Sequence, residues 1–128
     1  MMKIDDKLLQ LAQAESRAML EGLSGVVAVI VASVDGFDIA SAVTRGVDPA
    51  RIAAMASSIA AIGTVVSQEA QLGRSRSVTI NTEKGFALVS TVRRPDVELV
   101  VNVIAGADAV LAQVAYRSAE CVKALQSA

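Results

Sequence analysis

The chain has 128 residues, 12 basic and 13 acidic side chains, one cysteine, three aromatic residues and no histidine. That composition leaves out Ser-His-Asp and Cys-His catalysis, His-ligated metals and an internal disulfide, and its single Cys suits a reducing cytosol. Evenly spread charge and few stacking rings also argue against a nucleic-acid partner.

The length suits one domain spanning 1–128. Residues 5–22 follow a helical period through Leu8, Ala12, Ser16, Met19 and Leu23, with Gly22 and Gly25 as the stop. There is no basic start followed by an unbroken apolar stretch, so no signal peptide is expected. Gly25 to Val34 is β-branched and apolar on both alternating faces, the pattern of a strand covered on both sides. Asp35-Gly36 reads as a tight turn, and Asp38 to Val43 as a short return strand at a sheet edge.

Asp48-Pro49 opens a second helix, with the Asp side chain as cap and Pro at the first helical position. The helix is expected to run to Leu72 and stop at Gly73. It carries two stripes. Ile52, Met55, Ile59, Ile62 and Val66 are large. Ala53, Ala56/Ser57, Ala60, Gly63/Thr64 and Ser67 are small. The large stripe is expected to cover the sheet. The smooth one is expected to meet its own copy in a homodimer, since a monomer would leave apolar surface in water. The two longest apolar runs, Val26–Val34 and Ile52–Val66, fall short of the roughly 20 residues that span a bilayer, so a cytoplasmic chain with no membrane partner is expected.

Arg74 to Asn81 alternates with polar character and reads as an edge strand. Phe86–Val92 and Val97–Ile104 are apolar on both faces and read as central strands. A last helix begins at Gly106 to Ala109 and runs to Gln126, with Val110, Val114, Cys121 and Leu125 inward. The order is helix, two strands, helix, three strands, helix. It predicts an α+β sandwich with one helix on one face of the sheet and two on the other.

This order, with Leu20-x-x-Leu23-x-Gly25-Val26, the Asp-Gly turn, the Ala-rich helix after Asp48-Pro49, SVTINTEKGFALVSTV and VELVVNVIAGADAVLAQV, resembles the Roadblock, or dynein light-chain-type, family. The resemblance covers residues 7–125. It implies a five-stranded antiparallel sheet in the order 2-1-5-4-3. It further implies dimers in which third strands pair and second helices pack, placing Arg74, Arg76 and Val78 at the seam beside the small stripe. Members of that family serve as platforms or regulators for small Ras-like GTPases, or as adaptors in motor complexes.

No catalytic, cofactor or metal site is expected. GxxxxGK[ST] is absent, and the glycines lack dinucleotide spacing. Arg45, Arg93 and Arg94 are loop and turn arginines of the kind that can reach a GTPase's γ-phosphate, though solvated surface arginine is the commoner role. Two other readings stay open: a small-molecule sensor with a sheet-helix pocket, and a structural adaptor with no GTPase partner.

Overall fold

A computed structural model describes residues 4–44 and 46–128. Helix α1 spans Asp6–Gly22. Its N-terminus is capped by Asp5, whose carboxylate accepts from the Lys7 N–H at 2.7 Å. Leu8, Ala12, Ser16 and Met19 form its buried face, as the periodicity predicts. Strands β1 (Val26–Ser33) and β2 (Asp38–Val43) are joined through a turn in which Gly36 adopts φ +94°. That left-handed geometry is open to glycine at no steric cost.

Helix α2 spans Pro49–Glu69, capped by Asp48, which accepts from the Ala50 N–H at 3.1 Å. It ends three residues before the expected Leu72, because Gln71 turns to φ +58° two residues ahead of Gly73. Strands β3 (Ser77–Thr82), β4 (Gly85–Val92) and β5 (Leu99–Gly106) follow, then helix α3, Leu111–Ser127. β3 begins later than its alternation suggests, at Ser77 instead of Arg74. α3 begins after Val110, which supplies no side-chain cap and, ahead of the first helical turn, stands half exposed instead of facing inward.

The strands form one antiparallel sheet in the order β2-β1-β5-β4-β3. β1 and β5 lie inside and are buried on both faces. α1 and α3 cover one face over a core that includes Leu8, Met19, Val29, Val31, Leu99 and Leu125. α2 covers the other face alone, over two smaller clusters around Ile30 and Val89. A Glu15–Arg117 pair at 3.2 Å, doubly hydrogen-bonded, ties α1 to α3. Asn102 lies in central β5, where its neighbours across the strands are Ile30 and Val89. It is buried, and its side-chain oxygen has no partner among the described residues.

Candidate interaction surface

α2 departs in part from the expected assignment of its two stripes. Ala53 and Ala56 are fully buried and Ala60 nearly so, all three against the sheet. They are therefore not available to a second chain. The reason is distance. The sheet face under α2 already presents Ile30, Val89 and Val100, and alanines let the helix settle on those branched side chains without overpacking. Gly63 shows how close the approach is: a β-carbon there would stand 2.7 Å from Val78 Cγ2. Gly63 thus serves the contact between α2 and β3. Ser57, Thr64 and Ser67 are half-buried along the flanks.

Of the large residues, Ile52 and Ile59 are half-buried against the same clusters, whereas Met55, Ile62 and Val66 face outward. Ile62 is 63% exposed, and Met55, Val65 and Val66 are each about half exposed or more. Leu72 continues the apolar surface beyond the helix end. Beside this ridge runs β3, which is hydrogen-bonded only to β4 and is exposed at every residue except half-buried Val78. Arg74 and Arg76 are exposed just before it. The periodicity locates both stripes correctly, but their radial order needs the sheet.

The turn arginines are not free. Arg93 donates to the Ser75 carbonyl at 2.8 Å and lies 3.7 Å from Glu98. The Arg94 side chain is only 8% exposed. It forks onto both carboxylate oxygens of Asp96 at 2.9 and 3.0 Å, and donates to the carbonyls of Leu125 and Ala128 at the end of α3. Those carbonyls have no partner within the helix, so Arg94 holds the C-terminus of α3 against the β4–β5 turn. This corrects its reading as a mobile contact for a GTPase. Arg45 lies outside the described residues.

Arg94→Ala is expected to lower stability by about 1–2 kcal/mol through loss of these charge-assisted bonds, read by urea denaturation. The hydrogen bond from Arg94 also holds the Asp96 carboxyl below its ordinary value of 3.8. A carboxyl depressed in the folded state stabilises above its unfolded pKa. That contribution fades as pH falls through the folded value.

Cys121 is fully buried on the inner face of α3. Burial pushes its thiol up to about 12, so it carries almost no thiolate at neutral pH. A thiol-reactive disulfide reagent at pH 8 is expected to leave it unmodified in native protein and to label it fully in urea. Rapid native labelling would contradict this burial. Among the described residues, no three His, Cys, Asp or Glu side chains converge as a metal site.

Comparison with known proteins fits this architecture. The Roadblock/LC7 domain model matches residues 6–102. A Roadblock/LC7 domain from Streptomyces avermitilis superposes with a TM-score of 0.78 at 22% identity, over 90% of this chain and 94% of that one. MglB of Myxococcus xanthus gives 0.80 at 15% identity, over 99% and 92%. The gliding protein MglB of Thermus thermophilus gives 0.85 at 12% identity, over 98% and 93%. Among curated proteins, none matches the sequence significantly. At these identities the superpositions speak for the fold, and the family rests on the matched model over most of the chain. With the family model matched over residues 6–102 and the strand order in agreement, this chain belongs to the Roadblock/LC7 domain family, whose members are regulatory or adaptor proteins.

Proposed function

We propose that this chain is a non-enzymatic, cytoplasmic regulator or scaffold of a small Ras-like GTPase and that it works as a homodimer. The observation that carries the reading is the apolar ridge of α2 lying beside the bare edge of β3. An exposed apolar patch of that kind marks an interaction surface, and an unpaired strand edge invites strand addition. The interface proposed is Met55, Ile62, Val65 and Val66 with β3, flanked by Ser57, Thr64 and Ser67. Arg74, Arg76 and Val78 lie at its β3 border. Arg45 is retained as a contact for the GTPase.

Self-association also accounts for the character of α2. Among the described residues it is the one helix with the length and apolarity to cross a bilayer. Its alanine stripe is packed on the sheet, however, and a spanning α2 would have to abandon that packing. The outer ridge is therefore read as protein-facing.

Light scattering supplies the first test, with a mass of two chains expected. Pull-down against small GTPases of the same genome, each loaded with GTP or GDP, supplies the second. Preference for one nucleotide state of one GTPase is the expected result. Binding to none of them would sink the GTPase reading and leave the structural adaptor. Flotation with liposomes would overturn the assignment of the ridge to protein.

A further inference from the structure

α1 packs on β1 and β2, and α3 on β4 and β5, so on that face β3 has no helix over it. The uncovered strip is a groove of about 1330 Å³ between α3 and the β3–β4 edge. Its apolar lining comes from Leu72 just beyond α2 and from Ala115, Ala119 and Val122 of α3, with buried Leu88 of β4 at its floor. Its charged lining is Arg74, Arg76, Arg93 and Lys123. Four of the chain's 12 cations thus line one groove of a protein whose net charge is −1. Among the described residues no carboxylate lines it. Arg74, Arg76 and Lys123 make no ion pair with any described residue. Only Arg93 is partly offset, by Glu98 at 3.7 Å.

A one-sign groove raises the local concentration of oppositely charged partners. Aliphatic walls beside that charge suit a ligand with an apolar side of its own. Helices on a sheet lie about 10 Å apart, close to the width of two strands, and α3 sits mainly on β4, so a helix beside it would lie along the outer margin of β3. We propose that this groove is a docking site for an acidic amphipathic helix of a protein partner, seated alongside α3, with the α2 ridge meeting it only at Ser67 and Leu72. Leucine-type side chains of that helix meet Ala115, Ala119 and Val122, and its carboxylates meet Arg74, Arg76 and Lys123. A nucleic acid would use the charge but find no aromatic ring to stack on among the lining residues.

The test is an NMR titration of isotope-labelled protein. The probe is a synthetic peptide of about 18 residues, five helical turns, with leucines on one face and glutamates on the other. A glutamine-for-glutamate counterpart and an oligothymidylate of equal charge are the comparisons. The acidic peptide is expected to shift the amides of Ser90, Ala119 and Lys123 saturably. Binding should weaken at least about tenfold in Lys123→Glu, and again in the Arg74→Glu/Arg76→Glu pair. Lys123 sits on α3, away from the β3 edge, so its loss of binding would not report a change in self-association. Shifts centred elsewhere would overturn the proposal. So would equal binding of the glutamine peptide, tighter binding of the oligothymidylate, or no saturable response.

Discussion

Ala56→Glu is expected to unfold the chain, while Ile62→Glu, less than two turns further along the same helix, is expected to fold normally and lose self-association. Ala56 has no exposed surface and lies against Val89 and Val100. A glutamate there must either bury an unpaired carboxylate or lift α2 from the sheet. Stranding a buried charge without a partner costs about 3–5 kcal/mol, comparable to the whole stability of many small domains. Ile62 is 63% exposed, and a charge there meets water in the isolated chain. In the proposed dimer it would meet the apolar ridge of a second copy, unpaired. Circular dichroism separates the two variants by folding, and light scattering by mass. A folded, monomeric Ala56→Glu protein would restore the small stripe as an interface, and a dimeric Ile62→Glu protein would remove the ridge from it.

The second large effect is expected at the β3–β4 turn. Gly85 has φ +151°, and a β-carbon built on it would overlap the carbonyl oxygen of Ala105 and stand 3.0 Å from the carbonyl carbon. Those atoms are backbone of central β5, which is hydrogen-bonded on both sides and cannot give way cheaply. Gly85→Ala is therefore expected to cost more than about 3 kcal/mol, combining strain with a backbone clash. Gly73→Ala is the matched control. Its φ is +82°, but nothing lies within 4 Å of the added carbon, so it carries backbone strain alone, about 1–2 kcal/mol. Urea midpoints of the two variants measure the difference. Equal losses would mean that the close approach at Gly85 contributes nothing.

Most of the architecture is legible because each element carries a local signal. Asp48-Pro49 announces α2 and Asp35-Gly36 the first turn. The two-sided apolar runs of β1 and β5 announce the centre of the sheet, and the polar alternation before Asn81 announces its edge. These signals are short in range, and the structure honours them within a few residues. The radial order of α2 is not legible for a definite reason. Both stripes are apolar, so periodicity gives the angle between them and not which one faces the sheet. That choice depends on the bulk of Ile30, Val89 and Val100, contributed by distant segments. The turn arginines mislead likewise. Position in a turn suggests exposure, yet Arg94 reaches carbonyls 31 and 34 residues away. The cationic groove also lies beyond sequence reading, since Arg74, Arg93 and Lys123 are brought together only by the docking of α3 on β4.

The alanine stripe of α2 also decides when the cost of ordering side chains falls due. Alanine has no rotamers to lose, so seating this face on the sheet freezes almost no side-chain entropy during folding. Ile62, Met55 and Val66 keep their torsional freedom as long as they stand in water. Their freezing is deferred to the moment a partner arrives, and so enters the association constant and not the folding constant. The same deferral places the dehydration of these side chains on the association step, which should then show a negative heat-capacity change. Warming would shift the two equilibria by different amounts.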